Sequence, residues 1–390
     1  MKIAIFSDTF PPHVDGVANV VERLASILSS RGHKVQVVTI SKKTAAKGAH
    51  QASEKYDIIR LPSVSAAFVY KGHRFTLPIG QLIFQLEKNK PDIIHTHTQF
   101  TVGWEAVQSA RVLKIPIVGT NHTFYDHYLK HVRLDFNWMK KLTWKYTVGY
   151  YNRCDLVLSP SRALADVMKA QKLKKPVEII PNPINLDFFQ PPSNQTARKK
   201  FKAALGISGK SIVYMGRVSY EKNIDKALRA FALILKKKPK LKFVIVGDGQ
   251  EKRRLEELAN RLNIQKSTIF TGFLSGSKLV EALQANELFL TASKSENMPL
   301  SVLEAMACGL PVVAVAALGI PEIVREGENG LLARSDDPEE LAKNILKLLD
   351  NEQMLAKFSK MSHRLAENYL PEKICQMHED VYNRVIASYW

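Results

Sequence analysis

Two successive series of short apolar segments, each alternating with amphipathic stretches, dominate this sequence of 390 residues. The first series contains seven segments rich in Val and Ile, which we predict as strands at 2–7, 34–40, 57–62, 92–97, 116–122, 156–160 and 177–182. Continuous apolar runs of this length are typical of strands buried on both faces. Because amphipathic helices are predicted between them, as at 17–30 and 104–113, the pattern favours a parallel sheet covered by helices.

The second series follows a break at residues 187–196, where FFQPPSNQT is rich in proline and polar side chains, as linkers are. Predicted strands resume at 211–217, 242–249, 267–273, 288–293 and 311–315. The chain is long enough for two domains of ordinary size. We therefore predict an α/β fold of two doubly wound parallel-sheet domains, at 1–187 and 197–371, with a last helix at about 372–390.

Composition limits the partners and the compartment. The net charge is +19, and residues 1–190 hold 26 basic against 14 acidic side chains. Such a surface suits acidic lipid, a phosphorylated ligand or nucleic acid. No nucleic-acid-binding motif is visible, so we expect no nucleic-acid partner, although a binder without enzymatic activity remains an alternative. Three widely spaced cysteines fit no metal or disulfide framework, and no spanning segment or signal peptide is visible, so we expect a cytoplasmic protein.

Two carboxylates lie eight positions apart in the second domain. Glu296 precedes a predicted apolar helix, and Glu304 lies within it, before Gly309 and Pro311 end it. Helix N-termini bind anions, and a carboxylate accepts the paired hydroxyls of a ribose or a hexose. The layout favours a site for a phosphorylated sugar or nucleotide. The alternative is structural, because a glutamate at a helix start often only complements the dipole and one within a helix usually faces solvent.

Cations and a glycine follow two other predicted strands. Arg217 and Lys222 lie at a strand end and the next helix start, where two cations can clamp a diphosphate. The alternative is a solvated pair of Lys222 with Glu221. Gly16, before the first predicted helix, lets the backbone approach a phosphate, although it is also compatible with an ordinary turn.

Histidines lie at the ends of two strands of the first domain. His122 ends a predicted strand, and polar side chains there fall in the ligand crevice of a parallel sheet, although a lone histidine is more often structural. His95 and His97, in HTHTQF, resemble a pair of metal ligands, and His127 has no clear role. No carboxylate lies at ligand spacing from them, so we predict no bound metal.

The stretch E-N-M-P-L-S-V-L-E-A-M-A-C-G-L-P-V-V-A resembles the E-x7-E region of the retaining nucleotide-sugar glycosyltransferases of family 4. Those enzymes have the GT-B fold, in which two Rossmann-like domains face a cleft. The strings G-R-V-S-Y-E-K and T-N-H-T are similar to further motifs of the family, and the resemblance covers nearly the whole chain. The chain departs from the family by placing Asn297 and Asn223 where glycine is usual. It also has Asp15 where the family has the first glycine of a Gly-Gly pair.

The resemblance implies roles for the candidate residues. Arg217 and Lys222 bind the diphosphate and stabilise it as a leaving group. Glu304 binds the ribose, Glu296 binds the hexose hydroxyls, and His122 contacts the donor sugar. The remaining donor-binding residues implied are Gly16, Gly272, Phe273, Leu274, Asn297, Met298, Pro299 and Leu300. The resemblance also implies a last helix that crosses back to the first domain, and a metal-independent, cofactor-free reaction in which the nucleotide sugar, UDP-glucose as our expectation, is a substrate.

The acceptor is expected to be a lipid. The string F-Y-D-H-Y-L-K-H resembles a region of the diacylglycerol glucosyltransferases, which implies 1,2-diacylglycerol as acceptor near Tyr125, Asp126 and Tyr128. Two segments, KGHRFTLP and residues 130–154, combine cations with aromatic side chains and favour peripheral binding to the anionic inner face of the cell membrane. Their candidate membrane contacts are Lys71, Arg74, Lys140, Lys141 and Lys145. A different acceptor, such as phosphatidylinositol or a soluble sugar, and a nucleotide-sugar epimerase of the same fold remain alternatives.

Overall fold

A computed structural model describes residues 1–13, 15–41, 50–52, 55–65, 74–124 and 136–389. The described chain forms two compact units. The first is built from the described parts of Met1–Leu129, Arg133–Pro183 and Pro371–Trp390, and the second from Ile184–Leu370. The chain therefore passes from one unit to the other at residue 183, four residues before the end of the predicted first domain.

Sixteen strands and fourteen α-helices are assigned within the described residues. The strands are β1 (Lys2–Phe6), β2 (Lys34–Ile40), β3 (His50–Ala52), β4 (Asp57–Leu61), β5 (Val64–Ser65), β6 (Arg74–Phe75), β7 (Ile93–Thr96), β8 (Ile117–Thr120), β9 (Leu156–Ser159), β10 (Val177–Ile179), β11 (Ser211–Met215), β12 (Lys242–Val246), β13 (Thr268–Gly272), β14 (Leu288–Thr291), β15 (Val312–Val315) and β16 (Gly330–Ala333). The helices are α1 (Gly16–Ser30), α2 (Ile83–Lys88), α3 (Thr101–Leu113), α4 (Asn137–Tyr151), α5 (Arg162–Ala170), α6 (Gln195–Ala204), α7 (Ile224–Leu235), α8 (Lys252–Arg261), α9 (Ser277–Gln284), α10 (Leu300–Ala307), α11 (Ile320–Ile323), α12 (Pro338–Leu349), α13 (Glu352–Ala366) and α14 (Pro371–Tyr389).

The first unit contains an eight-stranded sheet in the order β10-β9-β8-β7-β1-β2-β4-β3. All neighbours are parallel except the antiparallel pair β3–β4. The order runs outward in both directions from β1 and β7, so the loops after these two strands diverge and leave a crevice at their carboxyl ends. The seven predicted strands of this half are confirmed. The strands β3, β5 and β6 were not predicted, because each has only two or three residues and no apolar run.

The C-terminal helix completes the core of the first unit. The buried face of α1 includes Leu24 and Leu28, which lie in one cluster with Ile5 of β1 and Tyr382 of α14. The guanidinium of Arg31, just after α1, donates to both carboxylate oxygens of Glu379 on α14, at 2.7 and 2.6 Å. Helix α14, the last in the chain, thus packs on the first helix of the same unit.

The second unit has a fully parallel six-stranded sheet in the order β13-β12-β11-β14-β15-β16. One apolar cluster includes residues of α7, α8 and α12, and a second includes residues of α9 and α10. The five predicted strands are confirmed, and β16 was not predicted. The two doubly wound parallel sheets of the predicted fold class are therefore present.

The predicted linker is partly packed. Phe189, within FFQPPSNQT, is buried in the second unit together with Ile184. Helix α6 begins at Gln195, capped by the side chain of Asn194, which accepts from the backbone of Ala197 at 2.8 Å. Proline and polar composition indicated the break between the two series of strands, whereas the burial of an aromatic side chain inside it depends on a core that local composition does not show.

Candidate functional site

The candidate donor-site residues meet where the order of the second sheet diverges, between β11 and β14. The segments that follow these strands, 216–223 and 292–299, lie side by side. The ammonium of Lys222 contacts Glu296 Oε1 at 2.7 Å, and the two side chains are 20% and 13% exposed. The structure thus brings together a cation and a carboxylate that come from separate motifs. Lys222 pairs with Glu296, while Glu221, its predicted solvated partner, accepts from Ser219 Oγ at 2.6 Å.

Hydrogen bonds to backbone carbonyls hold the two segments in place. Asn223 has φ 50°, a left-handed conformation that asparagine tolerates better than most residues, which explains how it replaces a glycine. Its side-chain amide donates to the carbonyl of Ala292 at 3.2 Å. The amide of Gly319 donates to the carbonyl of Glu296 at 3.1 Å. Lys222 and Glu296 are therefore held by their neighbours on a rigid sheet edge.

Arg217 lies on the same edge, with an exposed side chain. Its backbone carbonyl accepts a hydrogen bond from the hydroxyl of Tyr214 at 2.9 Å. Tyr214 is fully buried, and burial raises its pKa well above the usual value, with further raising by the carboxylates of Glu296 and Glu221 and opposition from Arg217. The buried hydroxyl of Tyr214 therefore lies close to Arg217, the candidate diphosphate-binding residue, and to Glu296, the candidate hexose-binding residue. No sequence signal marks Tyr214, since it belongs to an ordinary apolar strand.

Glu304 lies on α10 and is only 8% exposed, unlike the usual glutamate within a helix. Burial, and next the nearby carboxylate of Glu304, raise the pKa of the Cys308 thiol. Asn297 and Met298 are also buried, and Pro299 and Leu300 are half-buried at the start of the helix. Glu296 and Glu304 therefore lie on either side of the helix start, where backbone N–H groups are available to an anion.

The end of β13 carries the predicted base-binding loop. Gly272 has φ 73°, and an isolated bridge joins it to Gly247 after β12. A Cβ at Gly247 would lie 1.9 Å from the carbonyl oxygen of Gly216, so only glycine allows the loops after β11 and β12 to approach this closely. Leu274 packs on the core, whereas Phe273 is 59% exposed. Base binding by this loop stays a prediction.

His122 lies in the loop after β8 of the first unit and is half-buried. Its Nε2 lies 2.9 Å from Nδ1 of His97. Burial lowers the pKa of His122 to about 4, although Asp15 acts in the opposite direction, so the ring is neutral at pH 7. His95 is hydrogen-bonded to Tyr382 and Thr120. In the part of the chain that the structure describes, no three His, Cys, Asp or Glu side chains are grouped to hold a metal; His127 lies outside it.

The start of α1 is already occupied by a carboxylate. Asp15 Oδ1 accepts from the backbone of Ala18 at 2.7 Å and caps the helix. A Cβ on Gly16 would meet no atom within 4 Å. Phosphate binding at Gly16 stays a prediction, and the Asp15 carboxylate disfavours a second negative charge at this position.

Asp8, after β1, was not predicted as a site residue. It accepts from the hydroxyls of Thr98 and Thr101 at 2.6 and 2.7 Å and from the backbone of Val102 at 3.0 Å. Burial raises its pKa, and these hydrogen bonds oppose the shift. Asp8 therefore joins the loop after β1 to the start of α3. The sequence does contain a signal that could have identified Asp8, because this carboxylate directly follows an apolar strand.

The aromatic residues of the basic segment divide into two groups. Three of them are buried and belong to the core rather than to a surface: Trp144, Tyr150 and Tyr151. The exposed positions Trp138, Lys141, Leu142, Lys145 and Tyr146 are spaced i, i+3, i+4, i+7 and i+8, so they form one face of α4. This face alternates apolar side chains with cations.

The other predicted membrane and acceptor residues lie at different places, and some of them fall outside the described residues. Lys140 is half-buried on α4. Arg74 Nε donates to Ser63 Oγ at 2.8 Å, beside the short ladder of β5 and β6. Four of the predicted residues lie outside the described part of the chain: Lys71, Tyr125, Asp126 and Tyr128.

Comparison with known proteins gives matches along most of the chain. Residues 14–188 match the model of Glycosyltransferase Family 4, and residues 196–368 match that of Glycosyl transferases group 1. An alpha-monoglucosyldiacylglycerol synthase of Streptococcus pneumoniae is 36% identical over 319 residues, 80% of this chain and 71% of that protein. A protein of the same name from Acholeplasma laidlawii is 29% identical over 391 residues, 98% of this chain and 96% of that protein.

Solved structures agree in fold. A sucrose-phosphate synthase from Thermosynechococcus elongatus superposes with a TM-score of 0.83 at 22% identity, covering 99% of each chain. HepE of Anabaena, in complex with UDP and glucose, superposes with a TM-score of 0.77 at 20% identity, covering 98% of this chain and 99% of that chain. These neighbours have the GT-B fold, which confirms the predicted fold. None of the helices in the described ranges is both long and apolar enough to cross a membrane.

Proposed function

Because the chain belongs to the family 4 glycosyltransferases of GT-B fold, we propose that it transfers glucose from UDP-glucose to 1,2-diacylglycerol with retention of configuration. The observation that carries the donor site is the contact between Lys222 and Glu296 at the divergence of the second sheet. The choice of acceptor is supported by the names of the two alpha-monoglucosyldiacylglycerol synthases.

The pair of Lys222 and Glu296 suits a donor with a charged end and a hydroxylated end. An ammonium has three N–H donors, so Lys222 can keep its bond to Glu296 and also donate to a phosphate oxygen. The remaining oxygen lone pairs of Glu296 can accept from hexose hydroxyls. In this proposal Glu304 accepts from the ribose hydroxyls. Each carboxylate would thus bind one sugar of the donor, with the diphosphate between them.

The reaction needs negative charge to be stabilised on the leaving group. When the bond between the anomeric carbon and the diphosphate oxygen breaks, its electron pair stays on UDP, and Arg217 and Lys222 stabilise that charge. The acceptor hydroxyl attacks from the same face, and its proton passes to the departing phosphate oxygen. Two cations of the chain supply the charge that a divalent metal would otherwise provide, so we propose that the reaction is metal-independent.

The exposed face of α4 supports a membrane surface as the place of transfer. Trp138 is 64% exposed, and Leu142 next to Lys141 and Lys145 continues the same stripe. Exposed apolar side chains can enter the boundary between headgroups and acyl chains while cations remain at the anionic headgroups. Each Lys near such a surface contributes about 1 kcal/mol.

A second group of exposed apolar side chains lies near the N-terminal end of α3. Leu77, Ile79 and Phe84 are exposed on the segment at 76–84, which the carboxylate of Glu105 on α3 holds through the backbone amides of residues 80 and 82. Helix α4 is held at this end of α3 too, where Trp104 Nε1 donates to the hydroxyl of Tyr146 at 2.9 Å. Together these exposed side chains support peripheral binding at the inner face of the cell membrane.

The test is a product assay with matched variants. The protein is incubated with UDP-glucose and vesicles that contain 1,2-diacylglycerol, and lipid products are identified by mass spectrometry. We expect a monoglucosyl lipid, an unchanged rate with EDTA, and at least a 100-fold loss of turnover in Arg217→Ala, since it removes stabilisation of the leaving group. Arg261→Ala, at the exposed end of α8, is the control.

The other outcomes identify which part fails. Product with phosphatidylinositol or a soluble sugar, but none with diacylglycerol, would contradict the acceptor and keep the donor site. Sugar released without any acceptor would indicate an epimerase or a hydrolase. A turnover in Arg217→Ala within about threefold of wild type, roughly 0.65 kcal/mol, would contradict the diphosphate role.

A further inference from the structure

A chain of buried aromatic rings leads from α14 to His122 within the first unit. His95 Nδ1 lies 2.6 Å from the hydroxyl of Tyr382, and the His95 and His97 ring centres are 4.0 Å apart. The planes of the His97 and His122 rings are within 15° of parallel with their centres 5.2 Å apart, and His97 Nδ1 lies 2.9 Å from His122 Nε2. The ring of His122 therefore contacts a residue that is buried in the first unit.

The contact between His97 and His122 is a hydrogen bond between two ring nitrogens, so one of the facing nitrogens must carry no proton. A neutral imidazole has one N–H, so one ring donates and the other accepts, whereas two protonated rings would place two N–H groups face to face. Burial first, and then the neighbouring histidines, lower the pKa of His97 well below its usual value. With the lowered pKa of His122, both rings are neutral at pH 7, and the hydrogen bond is present.

The burial of the His97 side chain costs folding free energy. It is 1% exposed, and its Nε2 is enclosed without a hydrogen-bond partner in the part of the chain that the structure describes. An unsatisfied buried polar atom costs roughly 1–3 kcal/mol, which an apolar side chain of similar size would avoid. A histidine at this position is therefore explained by what its other nitrogen does, which is to hold the ring of His122.

We propose that His97 is a positioning residue whose Nδ1 fixes the orientation and the tautomer of His122 for its contact with the donor sugar. The inference rests on the proposed function and on the contact between His122 and the donor sugar that the family resemblance implies. It adds that the geometry of His122 depends on the core of the first unit, since His97 packs against His95 of β7, which is hydrogen-bonded to Tyr382 of α14.

The test compares three replacements of His97. The amide of asparagine lies near the position of Nδ1, whereas the amide of glutamine reaches the position of Nε2, which has no partner. We expect His97→Asn to keep turnover within about threefold of wild type, and His97→Gln and His97→Leu to lose about tenfold or more in kcat. Affinity for UDP, measured by calorimetry, should stay the same in all three, because UDP lacks the hexose that His122 contacts.

A measurement without turnover separates this inference from the proposed function. The imidazole nitrogen shifts of His122, observed by NMR in the free protein, report its tautomer. We expect one tautomer in wild type and in His97→Asn, and a mixture in His97→Gln. If the tautomer and kcat are the same in the asparagine and glutamine variants, His97 is only a core residue and the inference is wrong. If wild type transfers no sugar but the tautomers differ as expected, the proposed function fails and the positioning of His122 stands.

Discussion

Acid should destabilise the first unit through its buried histidines, and His378 allows the effect to be calculated. His378 lies on α14, buried against the ring of His95, and its Nδ1 contacts the carbonyl of Ile374 at 2.9 Å. Burial lowers its pKa from 6.5 to about 4, and the hydrogen bond to Ile374 opposes the shift. The pKa in the unfolded chain is higher, so the unfolded state binds the proton more tightly. Stability from this group is complete above pH 6.5 and is lost as the pH falls from 6.5 towards 4.

The magnitude follows from the two pKa values. At pH 5 the unfolded histidine is almost fully protonated while the folded one is mostly neutral, which corresponds to a loss of about 2 kcal/mol relative to pH 7 or above. Below pH 4 the loss from His378 approaches about 3 kcal/mol and then stays constant. His378→Asn removes the titration and keeps an amide that can donate to Ile374.

The assay uses the position of the tryptophans. The three tryptophans within the described residues, Trp104, Trp138 and Trp144, belong to the first unit, so tryptophan fluorescence during urea unfolding reports that unit. We expect the free energy of unfolding to fall by about 2 kcal/mol less between pH 7 and pH 5 in His378→Asn than in wild type. His363→Asn, in helix α13 of the second unit, is the control and should leave the loss in the first unit as in wild type. An equal loss in His378→Asn and wild type would refute the reasoning.

Three further predictions concern the donor and membrane sites. Glu304→Ala should weaken UDP and UDP-glucose to the same degree, since both contain the ribose, and unchanged UDP affinity by calorimetry would rule out the ribose role. Tyr214→Phe removes the hydrogen bond to the carbonyl of residue 217 and should lower kcat about fivefold; kinetics equal to wild type would show that this bond is dispensable. Replacing Lys140, Lys141 and Lys145 by Glu should weaken sedimentation with anionic vesicles, and salt should weaken it in wild type, because the Debye length near 10 Å at 0.1 M screens the attraction. Indifference of wild type to lipid charge would contradict the membrane proposal.

Some properties of this protein follow from local sequence alone. Apolar runs of four to seven residues between amphipathic stretches predicted every strand of the two sheets except β3 and β16, because burial on two faces demands such runs whatever the order of the strands. The spacing of Glu296 and Glu304 placed one carboxylate before a helix and the other within it. Short segments without an apolar run, such as β3 and the ladder of β5 and β6, have no comparable signal.

Other properties depend on contacts that local pattern does not contain. Strand order brings Lys222 to Glu296 across 74 positions, although either residue alone is compatible with a solvated charge. Packing decides the rotation of α4, so Tyr150 is buried while Trp138 is exposed on the same helix. Periodicity shows that a helix has two faces, and only the tertiary structure shows which face the core covers. The bond from His97 to His122 likewise exists because β7 and β8 are neighbours in the sheet, and sequence periodicity is the same for neighbouring and for distant strands.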